Sequence, residues 1–182
     1  YEAGIRYGSR DLSADVIGFV TDYENLLGRD TFSSGGTGGA DQFNGGEVQV
    51  YGLEVGATYD LGAAWRGREP ERYHPYRYPL TLAYSYTRSE FQNSFASSFA
   101  EWGAVEAGDE LPYIPEHQLY ASVGVEAEDW LVNLGARYTG RMRTVAGSGD
   151  TLGAESTDAS VVIDANAEYE FIDNVRFFVS AN

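Results

Sequence analysis

The sequence predicts an all-β fold, a transmembrane β-barrel segment of about eight antiparallel, meandering strands, and three observations lead to it. Apolar and polar residues alternate with a period of two along nearly the whole chain, the period of a strand rather than of a helix. The connections between these runs mostly alternate short and long. The apolar rows carry Tyr or Trp near their ends while the facing rows are polar, small or charged. A soluble sandwich buries its apolar face and has no reason to place long loops at one end. A membrane barrel turns apolar side chains to lipid, belts both interfaces with aromatics, keeps a polar lumen and joins strands by short turns on one side and long loops on the other.

The runs follow in order. Tyr1, Ala3, Ile5 and Tyr7 alternate with Glu2, Gly4 and Arg6, and Gly8-Ser9-Arg10-Asp11 supplies turn chemistry, so the chain opens as a hairpin. In the next run the uncharged even set Leu12, Ala14, Val16, Gly18 and Val20 is expected to face outward, against an odd set containing Asp15. Residues 26–46 are rich in Gly, Ser, Thr, Asp and Asn and predict a long loop with no packed element of its own. From Glu47, Tyr51, Leu53, Val55, Ala57 and Tyr59 share one face and Gly52, Glu54, Gly56, Thr58 and Asp60 the other.

An irregular Arg- and Pro-rich connection over 61–79 precedes Leu80, Leu82, Tyr84 and Tyr86, which alternate with Thr81, Ala83, Ser85 and Thr87. A second long loop spans about 92–116. The set Leu119, Ala121, Val123, Val125 then runs through the tight turn Glu126-Ala127-Glu128-Asp129 into Trp130, Val132, Leu134, Ala136 and Tyr138. Trp130 and Tyr138 lie about one tilted membrane thickness apart, where interface aromatics belong. A third long loop covers about 140–159. After it Asp164, Asn166, Glu168 and Glu170 share a face that would be expensive in lipid and so predicts a wet lumen or another polar body against it. A turn at Ile172-Asp173-Asn174 starts the last run, Val175 to Ala181.

Composition narrows the function. The 182 residues carry 28 Asp+Glu against 12 Lys+Arg, a formal charge of −16, which repels phosphate backbones and argues against nucleic acid as a partner. There is no cysteine, so no disulfide framework and no thiol nucleophile, and every basic residue is an arginine, which removes lysine chemistry. No apolar run reaches the roughly 18–20 residues of a membrane helix. The histidines are His74 and His117, and no catalytic constellation forms around them, so an enzyme is not expected.

Four segments resemble one family. Gly45-Gly46-Glu47-Val48-Gln49-Val50-Tyr51-Gly52-Leu53-Glu54, with its core of Gly52, Leu53 and Glu54, is similar to a strand start in the C-terminal half of TonB-dependent outer-membrane receptor barrels. Leu111-Pro112-Tyr113-Ile114-Pro115-Glu116-His117 resembles the family's Pro-Tyr-x-Pro-x-His segment after an extracellular loop. Tyr1-Glu2-Ala3-Gly4-Ile5-Arg6-Tyr7 looks like its Tyr-Glu-x-Gly-x-Arg strand, and Val175 to Asn182 like its penultimate region. Pro112, Tyr113, Pro115 and His117 carry a structural role in that motif.

The resemblance is nearest to ferric-dicitrate and ferric-siderophore receptors. It implies a monomeric 22-stranded barrel in the Gram-negative outer membrane, embedded in lipid and lipopolysaccharide, filled by a plug through which TonB delivers energy for uptake of a ferric chelate. Against that pattern residues 1–182 hold neither plug, nor TonB box, nor a last strand ending in an aromatic, so the resemblance implies one partial barrel domain. No cofactor and no resident metal site are implied.

An anionic chelate would be met by arginine forks and polar groups at the loop mouth. By position the candidates are Arg29, Gln42 and Asn44 in the first long loop, Trp102 in the second, and Arg141 and Arg143 in the third. An arginine near a loop base can equally serve as an ion-pair partner. Between Arg88 and Arg137 all charges are acidic, so clustered loop oxygens could hold Ca²⁺ or bridge lipopolysaccharide phosphates through it, and could equally serve solubility. Around His74, Arg66, Arg68, Arg72 and Arg77 stand against Glu69 and Glu71 in a periplasmic turn, either solvated or touching a periplasmic partner or anionic headgroups. Two other readings stay open: a complete eight-stranded outer-membrane barrel with a structural or adhesive role, in which the first strand pairs with the eighth, and a soluble β-barrel with swapped faces that binds a small ligand.

Overall fold

The structure, a computed structural model, describes residues 1–29, 42–44, 46–67, 75–97, 102–150 and 155–182, with only the backbone at 27–29, 42–44 and 66. His74, its charged neighbours Arg68, Glu69, Glu71 and Arg72, and the Gly/Ser run 33–39 lie outside the described residues.

The strands are β1 (Glu2–Gly8), β2 (Leu12–Tyr23), β3 (Leu27–Arg29), β4 (Gln42–Asn44), β5 (Val48–Asp60), β6 (Pro79–Phe91), β7 (Phe95–Ala96), β8 (Ala104–Val105), β9 (His117–Glu126), β10 (Trp130–Thr139), β11 (Ser160–Ile172) and β12 (Val175–Ala181), with one short helix, α1 (Ala63–Arg66). The eight long strands form one sheet in the order β1-β2-β5-β6-β9-β10-β11-β12, a meander in which every neighbour is antiparallel. β1 and β12 lie at opposite edges and are exposed along their whole length, so the sheet is open. A closed eight-stranded barrel would pair those two strands, and that alternative falls here.

Register converts the period of two into faces. Ile5, Val16, Val55, Tyr84, Leu119, Tyr138 and Val161 stand in one line across seven strands. One residue along, the line reads Gly4, Ile17, Glu54, Ser85, Gln118, Thr139 and Ser160. The even set of β2 therefore shares the apolar face, with Val16 43% exposed. Leu134, Ile163 and Val179 are more than half exposed on the same face. A contiguous apolar surface spanning a whole sheet is not a water-facing arrangement, and it requires a cover.

One end of the sheet carries the short turns. Ser9 Oγ accepts the Leu12 amide and can donate to the Leu12 carbonyl, both at 3.1 Å, closing β1 onto β2. At the β11–β12 turn Asn174 adopts a φ of 70°, a left-handed geometry that asparagine tolerates better than most residues. The longer β5–β6 connection, also at this end, is pinned at both feet by one carboxylate. Asp60, 3% exposed, accepts the amides of Gly62 (2.9 Å) and Tyr78 (3.0 Å) and the Nε of Arg77 (3.3 Å).

Residues 26–46, expected to hold no element, contain the paired β3–β4 ladder, three residues on each strand. β7 and β8 form a second small hairpin inside the second long loop. Ladders this short fall below the four to eight residues over which alternation can be read.

Gly52 sits on the polar face between Phe19 and Thr87. A Cβ there would collide with the Tyr86 carbonyl oxygen and lie 2.8 Å from Cζ of Phe19, so the resembling Gly-Leu-Glu motif has a steric reason for its glycine. Gly52→Ala is expected to cost about 1–3 kcal/mol through displacement of β6. The check is the temperature at which the full-length folded barrel converts to its unfolded gel mobility; an unchanged transition would refute the steric account.

Candidate functional site

The long loops converge at the other end of the sheet, and the described buried apolar residues lie there. Val48, Phe91 and Val105 are at most 2% exposed, with Leu26, Val50, Phe95, Trp102, Leu111 and Ala146 packed around them. Phe91 meets Phe95 and Trp102 edge to face, with ring centroids 5.3 and 5.7 Å away. Val48, Val50 and Phe91 belong by register to the polar face, in line with Gly52 and Thr87. At its end that face turns apolar, and the second long loop folds over it.

The returning limb of that loop runs beside β6. The Phe91 amide donates to the Asp109 carbonyl (2.9 Å), the Gly108 amide to the Phe91 carbonyl (2.8 Å) and the Thr87 amide to the Glu116 carbonyl (3.0 Å). Asp109, 9% exposed, accepts the Glu106 amide at 2.8 Å.

Charge then couples the second and third loops. Glu110 takes Arg143 Nε at 3.0 Å on one oxygen and Arg88 Nη2 at 3.4 Å on the other. Arg88 also reaches Glu90 (3.1 Å) and Glu116 (3.9 Å), and Tyr51 donates its hydroxyl to Glu90 at 3.0 Å. Arg143, 6% exposed, further donates to the Gly149 carbonyl. The backbone repeats the link: the Glu110 amide donates to Gly147 (2.8 Å) and the Tyr113 amide to the Arg143 carbonyl (2.8 Å). Tyr113 is held at a φ of 61°, so its position in the Pro-Tyr-x-Pro motif is a left-handed corner. His117 opens β9 with Nδ1 2.8 Å from the Tyr84 hydroxyl and its ring 5.4 Å from that of Tyr86.

The candidate ligand residues thus separate. Arg141 is exposed. Arg143, two residues on, is buried against Glu110, and Trp102 packs on Phe91 inside the loop core. Arg29, Gln42 and Asn44 come together on the β3–β4 ladder, where Arg29 pairs with Gln42 and Leu27 with Asn44. The relay Tyr51–Glu90–Arg88–Glu110–Arg143 was not anticipated from sequence. Its one signal in the sequence is Arg88 standing at the head of an otherwise acidic stretch.

Below the mouth the polar face forms an open concavity of about 340 Å³ bordered by Asp15, Glu54, Ser85, Gln118, Tyr120 and Arg137. The Arg137 guanidinium lies 5.9 Å from the Tyr120 ring centroid. Among the described residues no group of His, Asp and Glu is arranged to hold a metal ion.

The sequence profile of the family described as TonB dependent receptor-like, beta-barrel, matches residues 1–182, and the chain belongs to that family. Its members are outer-membrane transport receptors, not enzymes, so the apolar face is the lipid face, the polar face lines the lumen and the long loops are extracellular. Among solved structures it is similar to the copper transporter OprC (18% identity, TM-score 0.62, covering 98% of this chain and 24% of that one). It is also similar to the unliganded ferric citrate transporter FecA (20%, 0.62, 97% and 25%) and to the ferric-catecholate import receptor Fiu from K12 E. coli (20%, 0.58, 98% and 22%). The chain therefore spans about a quarter of the length of the structures it matches. No curated protein sequence matches it.

Proposed function

We propose that the protein to which this wall belongs is a TonB-energised receptor importing a ferric chelate across the Gram-negative outer membrane, with lipopolysaccharide around its outer rim. The observation carrying this reading is the division of labour at the mouth: one arginine of the third loop is exposed while its neighbour is consumed in bracing. A chelate presents carboxylate or catecholate oxygens that a guanidinium recognises in a planar fork. Similarity to FecA and Fiu, which carry ferric citrate and ferric catecholate, supports that class of cargo.

Similarity to OprC favours a bare copper ion as a second reading. Copper prefers thiolate, thioether and imidazole, and this chain offers no cysteine, one methionine and two histidines. The chelate reading is therefore preferred.

Arg141 is assigned to the ligand, with Arg29, Gln42 and Asn44 as further polar contacts from the first loop. Arg141→Ala in the full-length receptor is expected to weaken ferric chelate binding about 10- to 100-fold, the equivalent of one charge-assisted hydrogen bond, while loop protection from protease stays unchanged. Titration of ferric citrate and a catecholate chelate by tryptophan fluorescence checks this. Unaltered affinity for both removes Arg141 from the site.

A further inference from the structure

The concavity on the lumen wall is bordered by a guanidinium that the sheet leaves unengaged. Among the described residues Arg77, Arg88, Arg143 and Arg176 each hold a carboxylate, whereas Arg137, exposed on the polar face of β10, holds none. Its register neighbours account for this. On the β11 side stands Val162, which offers no charge. The next acid along that strand, Asp164, is opposite Gly135 and lies over that glycine, its oxygens 2.7 and 3.0 Å from where a Cβ would stand.

On the β9 side stands Tyr120, and the guanidinium sits 5.9 Å from its ring centroid, within reach of a cation–π contact. An arginine held on a ring keeps its fork of N–H donors free and has already given up side-chain freedom that binding would otherwise cost. From Tyr120 the register line continues through Ala83 and Gly56, so the wall recedes beside the arginine, and one step along Gln118 and Ser85 add an amide and a hydroxyl. Asp15 and Glu54 border the far side, three and two strands from β9. At about 5 Å per strand that is roughly 10–15 Å, a distance over which water and salt screen most of their repulsion. An anion is therefore favoured at the Arg137 end.

Arg137 also lies in the strand that rises into the third loop, four residues before Arg141 and at most about 14 Å from it along the chain. From this placement we infer that Arg137, seated on Tyr120 with Gln118 and Ser85 beside it, is a second contact for a planar oxyanion, the carboxylate or catecholate edge of the chelate, on the lumen wall beneath Arg141. The inference rests on the reading of the protein as a chelate receptor. A carboxylate of the plug offers the same chemistry, and the test separates the two sources.

The full-length receptor is titrated with ferric citrate and with a ferric catecholate by tryptophan fluorescence, and the unfolding transition of the ligand-free protein is followed by calorimetry. Arg137→Gln is expected to weaken at least one chelate about 10-fold and to leave the ligand-free transition where it was. Tyr120→Leu, which keeps the arginine and removes its platform, should weaken the same chelate several-fold, while Tyr120→Phe binds as the parent does. Equal binding by the two Tyr120 variants overturns the role given to that ring. A lowered ligand-free transition in Arg137→Gln, with or without weaker binding, assigns Arg137 to the plug and overturns the inference. Unchanged affinity for both chelates in Arg137→Gln, with Arg141→Ala weakened, overturns it and leaves the proposed function standing. A parent receptor that binds neither chelate overturns both.

Discussion

Phe91→Ala is expected to open the second extracellular loop while the transmembrane sheet stays assembled. Phe91 is fully buried and touches Phe95 and Trp102 as well as Val48, so its truncation leaves a cavity between the end of β6 and the loop. Phenylalanine-to-alanine changes in such surroundings cost about 3–5 kcal/mol, and the lower figure already corresponds to about a hundredfold in an opening equilibrium. Phe91→Leu, which keeps most of the volume, should cost markedly less. Hydrogen exchange at the Gly108 amide reads the effect, because that group is bonded to the Phe91 carbonyl. Exchange unchanged from the parent would show that the apolar core does not hold the loop.

Arg143→Ala should act on two loops at once. It leaves Glu110, 31% exposed, with Arg88 as its partner and removes the bond to the Gly149 carbonyl, and losing these charge-assisted bonds from the buried Arg143 costs about 1–3 kcal/mol. The amides of Glu110, Gly147 and Tyr113 should lose protection together, since they form the backbone seam between the second and third loops. Arg143→Lys restores charge without the fork and should fall between the two. Loss of protection in the third loop alone would refute the coupling. The contrast with Arg141→Ala is diagnostic, because that variant is expected to lose affinity and keep the seam.

The sheet was legible because membrane exposure writes itself as strict alternation. Val16, Val55, Tyr84 and Leu119 could be placed on one face from spacing alone, and register brought them into one line. The loops were not legible in this way. Phe91, Val105 and Trp102 form a core across segments with no period, and nothing in the spacing of Glu110 and Arg143, thirty-three positions apart, announces a contact. Arg141 and Arg143 looked equivalent as candidates because arginine serves ligand recognition and internal bracing equally well, and only burial tells them apart. The β3–β4 ladder was hidden for a different reason: its paired residues are the two ends of a Gly/Ser-rich run whose composition signals loop.

The seam between the second and third loops bears on how such receptors change their diet. Two loops that share one carboxylate and one run of amide bonds are coupled, so a substitution in either that alters the join is expected to need a matching change in the other. The first loop, among the described residues, meets this pair at its base, through Leu26 and the bond from the Glu47 amide to Asn93. The second or third loop grafted alone from a receptor of different appetite should therefore arrive without its brace.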